Sequence, residues 1–80
     1  MIINIYKIGD KKPIVKNLRV KSIYESSFYF RNMPTIGERT SRKIIKENNL
    51  YNGCYLIFED VKTGYKGSQH LYKTGTILNF

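Results

Sequence analysis

The chain has 80 residues, with 14 Lys and Arg against 6 Asp and Glu, and a formal net charge of +8. This length predicts one small domain over residues 1–80 and leaves little room for a deep enclosed active site. One cysteine excludes an internal disulfide, and no apolar run approaches the roughly 18 residues of a membrane span, so we expect a soluble cytoplasmic chain that attracts anionic partners.

Residues 1–21 are predicted to form an amino-terminal β-hairpin. IINIYKI alternates roughly with a period of two and is rich in β-branched residues, GDKKP supplies a turn, and IVKNLRV is the second strand. Basic side chains surround this hairpin: Lys11, Lys12, Lys16, Arg19 and Lys21. Such charges usually solvate a small sheet and protect its edge, and a separate basic binding surface is the alternative.

Residues 22–49 are predicted to form two helices in a helix-turn-helix-like arrangement. Ser22 precedes Glu25 with the spacing of a capping box, which predicts a helix start. Segment 32–34, NMP, then breaks that helix, because proline lacks an N–H. Thr35 and Glu38 repeat the capping-box spacing and predict a second helix through about residue 48.

The second helix is predicted to carry a basic stripe opposite its apolar side. At about 100° per residue, Arg39, Arg42 and Lys46 lie within about 60° of one another. A major groove about 12 Å wide admits an α-helix, and guanidinium groups bind phosphates or guanine edges. This helix is therefore a candidate for contact with duplex DNA, with a solvated basic face as the alternative.

A set of residues in the two predicted helices and the segment after them carries a resemblance to a known family: Ser22, Ile23, Glu25, Ser27, Ile36, Ile44, Ile45, Lys46, Asn48, Leu50, Tyr51, Gly53 and Tyr55. Together with the hairpin before them, they resemble the NUMOD, or intron-encoded-nuclease-repeat, family over residues 3–58. The family consists of small helix-turn-helix modules that bind DNA and are appended to phage and intron homing endonucleases. The resemblance implies that five residues face DNA: Arg39, Thr40, Arg42, Lys43 and Lys46. In this chain the turn is longer than in the family, and Ser41 stands at a position that the family makes apolar.

Residues 53–80 are predicted to form an antiparallel β-meander. Residues 54–61 and 68–73 are its first two strands, separated by a Gly-rich turn, and residues 76–80 are a short last strand. We expect one face of this meander to be an aromatic and basic surface that binds a nucleic-acid strand. Its residues are Lys62, Tyr65, Lys66, Tyr72 and Lys73. Cross-strand packing of the tyrosines is the alternative.

Residues 53–73 also resemble, more weakly, the opening of a GIY-YIG nuclease core. GCY at 53–55 is similar to the first triplet of that family, and YKG at 65–67 is similar to the second. Catalysis in that family also needs an arginine on the next helix and a downstream glutamate that binds a metal. Neither has a counterpart before the chain ends, so the resemblance implies at most a degenerate remnant.

The residue inventory predicts a binding module and not an enzyme. His70 is the only histidine, and the adjacent Glu59 and Asp60 point to opposite faces of a strand, so no catalytic, metal or cofactor site is expected. The predicted function is binding of nucleic acid, with DNA preferred over RNA and duplex DNA bound through the second helix, and with a homodimer as a possible form. The alternative is a phage- or mobile-element-encoded interaction protein whose basic surface binds an acidic surface of another protein and so inhibits or adapts that protein.

Overall fold

The computed structural model describes residues 1–23 and 33–77, where one helix packs on an antiparallel sheet. The elements are β1 (Ile2–Lys7), β2 (Val15–Arg19), β3 (Lys21–Ile23), β4 (Met33–Thr35), α1 (Glu38–Glu47), β5 (Cys54–Asp60), β6 (Lys66–Tyr72) and β7 (Gly75–Ile77). The main sheet has five strands in the order β2-β1-β5-β6-β7, and β3 pairs with β4 in a separate two-stranded sheet.

The hairpin and the meander both occur where the sequence predicts them. β1 pairs antiparallel with β2, and β5, β6 and β7 pair antiparallel in succession. β1 also pairs with β5, which joins the two ends of the chain in one sheet. Residues 78–80, the end of the predicted last strand, lie outside the described residues.

The predicted fold class with two helices in a helix-turn-helix-like arrangement is wrong. Ser22, the expected cap of the first helix, lies in β3, and its backbone pairs with Pro34 of β4. Both strands of a two-stranded sheet are edges, so a proline without an N–H is accommodated there. The remainder of the predicted first helix, residues 24–32 including Glu25, lies outside the described residues. A capping box consists of common residue types, and strand pairing overrides it here.

The helix α1 begins later than its predicted capping box. Thr35 lies in β4, and Gly37 occupies the cap position without a side-chain hydrogen bond. The predicted end is confirmed, because α1 ends at Glu47 and Asn48 caps it. The side-chain amide of Asn48 donates to the backbone oxygen of Ile44 at 3.0 Å, which satisfies one of the last carbonyls.

The core lies between α1 and one face of the main sheet, called here the inner face. Alternate residues of the strands are buried on this face because successive side chains point to opposite sides. The buried residues of the three central strands are Ile3, Ile5, Cys54, Leu56, Phe58, Gln69 and Leu71. Ser41, Ile44 and Ile45 of α1 are buried against them. The opposite side of β1, β5 and β6, called here the outer face, is covered by no helix or strand of residues 1–23 and 33–77.

Candidate nucleic-acid interface

The exposed side of α1 is basic. Ser41, Ile44 and Ile45 face the core, which directs the predicted basic side chains outward. The exposed cations of the helix are Arg39, Arg42, Lys43 and Lys46, and Thr40 is half-buried at their flank. The sequence-based separation of an apolar and a basic side therefore agrees with the structure, although α1 packs on a sheet and not in a helix pair.

Two of these cations form ion pairs within the helix. The guanidinium of Arg42 contacts the carboxylate of Glu38, and Nζ of Lys43 lies 4.0 Å from a carboxylate oxygen of Glu47. All four side chains are more than half exposed. Exposed pairs of this kind contribute about 0–1 kcal/mol, so a phosphate can replace either carboxylate at little cost.

A shallow groove lies beside the carboxyl-terminal half of α1. Its lining consists of Arg42, Ile45, Lys46, Asn49, Leu50 and Lys73. Lys73 reaches this groove from the turn after β6, where its backbone N–H donates to the side-chain oxygen of Asn52 at 2.7 Å. That bond joins the turn to the segment after the helix. Three cations from two distant parts of the sequence, Arg42 and Lys46 of α1 and Lys73 after β6, therefore line one groove together with apolar side chains.

The structure divides the predicted aromatic and basic surface of the meander. Lys62 and Tyr65 lie in the turn between β5 and β6, where Tyr65 is 75% exposed. Lys66 is the first residue of β6, and Lys73 follows the last. Seven strand residues span about 20 Å, so Lys73 lies at the far end of the sheet from the other three.

The two triplets that resemble a GIY-YIG core also lie apart. Tyr55 of the first triplet pairs with His70, five residues beyond Tyr65 of the second. Five strand residues correspond to about 16 Å. The register of this hairpin therefore places Tyr55 and Tyr65 at opposite ends of β6, and no single site contains both rings.

A polar cluster on the outer face was not predicted. The carboxylate of Glu59 accepts hydrogen bonds from the side-chain amide of Asn4 at 3.0 Å and from the hydroxyl of Tyr6 at 2.9 Å. Nζ of Lys66 lies 3.9 Å from the other carboxylate oxygen and 5.4 Å from the centroid of the Tyr6 ring. The hydrogen bonds from Asn4 and Tyr6, with the charge of Lys66, hold the pKa of Glu59 below its ordinary value, and the same carboxylate raises the pKa of Tyr6. Glu59 therefore stays ionised and is balanced by its neighbours.

Replacing Glu59 with Gln is expected to flatten the dependence of unfolding free energy on acid pH. A carboxylate with a lowered folded-state pKa stabilises the fold above its ordinary pKa near 4.5, and this contribution is lost as the pH falls through the folded value. Urea titrations between about pH 7 and pH 3 measure the slope. Tyr6→Phe, which removes one donor, should give an intermediate slope, and an unchanged slope in Glu59→Gln would contradict the assignment.

The remaining reactive groups are dispersed. Cys54 is 3% exposed, and its burial raises the pKa of the thiol, which disfavours the reactive thiolate. Within residues 1–23 and 33–77, no three His, Cys, Asp or Glu side chains cluster in a way that could hold a metal ion. Among the same residues, no helix has the length and apolar character needed to cross a membrane.

Comparisons with protein-family models, with curated proteins and with solved structures find no match.

Proposed function

We propose that this chain binds nucleic acid without catalysing a reaction on it, that duplex DNA is the preferred form, and that the exposed side of α1 makes the main contact. The observation that carries the proposal is the groove in which Arg42, Lys46 and Lys73 converge. Arg39 and Lys43 extend the cationic surface along the helix. Cations from two separate elements make a broader anionic contact than a single charged helix face.

The dimensions of α1 suit one face of a duplex. An α-helix with its side chains is about 10–12 Å across, which the roughly 12 Å width of a major groove admits, and the ten residues of α1 would extend about 15 Å within it. The proposed contact is a single helix presented by a sheet, with Arg42, Lys46 and Lys73 on phosphates and Arg39 free to reach a base edge. Phosphate contacts position a protein without reading sequence, so we expect weak sequence preference. A surface this small makes few contacts, and two copies on one duplex would supply the affinity that one lacks.

The salt dependence of duplex binding tests the proposal. Neutralising three to five phosphates should give a slope of about −3 to −4.5 for log K against log salt between about 50 and 200 mM. Fluorescence anisotropy with a labelled duplex of random sequence measures this slope. Affinity that does not change with salt would contradict the proposal, and so would nicking of supercoiled DNA by the pure protein with magnesium.

A second candidate function follows from the apolar residues of the groove. Ile45 and Leu50 line it together with the cations, and an acidic protein segment with one apolar side chain would fit that combination. The chain would then occupy an acidic or nucleic-acid-binding site on another protein. Two results together would favour this function. They are the absence of duplex binding at low salt and the capture, from nuclease-treated host lysate, of a protein that a variant with Arg42, Lys46 and Lys73 replaced by Gln fails to capture.

A further inference from the structure

The outer face of the sheet carries a row of aromatic rings that α1 does not cover. Tyr55 of β5 pairs directly with His70 of β6, and their ring centroids lie 4.9 Å apart at an interplanar angle of 72°. Tyr72 follows on the same side of β6, with its ring centroid 5.9 Å from that of His70. Tyr55 is 38% exposed, and the other two rings are half-buried. The three rings form one continuous surface, called here the aromatic row.

A glycine makes room for one end of the aromatic row. Gly53 has φ +85, and a Cβ atom at this position would lie 3.3 Å from a ring carbon of Tyr72. The ring of Tyr72 therefore lies close over the backbone just before β5. The edge-to-face contact between Tyr55 and His70 fixes the other two rings relative to each other, because aromatic pairs favour this geometry. These contacts fix the positions of the three rings in the absence of a ligand.

The same side of β6 carries a cation and a hydroxyl. Alternate residues of a strand share a face and are about 6.6 Å apart, so Lys66, Ser68, His70 and Tyr72 follow one another along it. Among the described strands β1, β5 and β6, the outer face has one acidic side chain, Glu59, which is bonded to Asn4 and Tyr6 and lies 3.9 Å from Nζ of Lys66 in a partly exposed pair that a phosphate can replace at little cost. At the sheet edge Arg19 pairs with Ile2 and adds a cation. The row thus lies on a face with little free negative charge, in a chain of net charge +8.

We propose that this outer face binds single-stranded nucleic acid, with bases stacked on the aromatic row and phosphates beside Lys66. Bases in a duplex stack on each other and do not expose their faces, whereas bases of a single strand are free to stack on side chains. A second copy of the chain is a poorer occupant, because two chains that each have a formal net charge of +8 repel. The inference shares its ligand class with the proposed function but uses the side of the sheet opposite α1.

Binding of labelled oligothymidine of about 12 nucleotides tests the inference. We expect Tyr55→Ala to weaken binding about fivefold or more, as expected for the loss of one stacked base, and Tyr55→Phe to bind within about twofold of the original chain. Tyr51→Ala is the matched control, because Tyr51 is 69% exposed but lies before β5 and is not one of the three rings of the aromatic row. It should leave binding unchanged.

Three results would overturn the inference. They are equal binding of oligothymidine by the original chain and Tyr55→Ala, no binding by either, and equally tight binding of a strand of the same length that lacks bases. Duplex binding separates this inference from the proposed function, because Tyr55→Ala should retain it, whereas the variant with Arg42, Lys46 and Lys73 replaced by Gln should lose it. Because Cys54 is buried, slow labelling of its thiol shows that a variant is folded. If Tyr55→Ala is not folded, His70→Ala replaces it in the same comparison.

Discussion

Replacing Arg42, Lys46 and Lys73 together with Gln is expected to weaken binding to a random DNA duplex by at least about tenfold near 100 mM salt. Each lost phosphate contact also removes about 0.9 from the slope of log K against log salt, so the slope should fall by about 2 to 3. The three side chains surround one groove but come from α1 and from the turn after β6. Anisotropy titrations at several salt concentrations measure both effects.

A variant with the same loss of charge elsewhere separates the groove from the net charge. Lys11, Lys12 and Lys16 are exposed in and after the turn of the amino-terminal hairpin. Their replacement with Gln also removes three positive charges from a formal +8. We expect this variant to retain most of its affinity and slope. Equal weakening of the two variants would mean that duplex binding follows overall charge, and the groove would lose its assigned role.

The local signals in the sequence predicted the strands of the hairpin and the meander better than they predicted where helices start. GDKKP between two β-branched runs predicted the amino-terminal hairpin, because the turn and the strand periodicity agreed. The capping-box spacings at Ser22 and Thr35 failed, since both residues lie in the short strands β3 and β4. Hydroxyl and carboxylate pairs with this spacing cap a helix only where the backbone is already helical, and tertiary pairing decides that.

The candidate sites depend on contacts that no local pattern encodes. Lys73 joins Lys46 at the groove because β6 returns toward the carboxyl-terminal end of α1. Glu59 meets Asn4 because β1 pairs with β5, and a change of one residue in that register would turn Asn4 to the inner face. The sequence identified the basic residues of α1 individually. It did not identify Tyr55 and His70 as neighbours, because that contact requires the register of β5 and β6.

Replacing Gly75 with Ala is expected to lower the free energy of unfolding by about 3 kcal/mol. Gly75 has φ +130, and a Cβ atom there would lie 3.0 Å from the backbone oxygen of Ile36. A backbone oxygen cannot swing away as the end of a side chain can. Ile36 is 2% exposed and precedes α1, so the close approach joins β7 to the segment that leads into the helix. Urea unfolding, with thiol labelling of Cys54 as a second probe, measures the loss.

Gly64→Ala is a reference for an Ala at positive φ that meets no clash. Gly64 has φ +75, and a Cβ atom there would meet nothing within 4 Å among the described residues, so only the strain of about 1–2 kcal/mol is expected. The excess in Gly75→Ala reports the clash between β7 and the segment before α1, together with the greater backbone strain of an Ala at φ +130 than at φ +75. Because this contact helps to hold α1 on the sheet, Gly75→Ala should also weaken duplex binding at temperatures where part of the population is unfolded. Equal losses in the two variants would show that the approach of Gly75 to Ile36 does not hold α1 on the sheet.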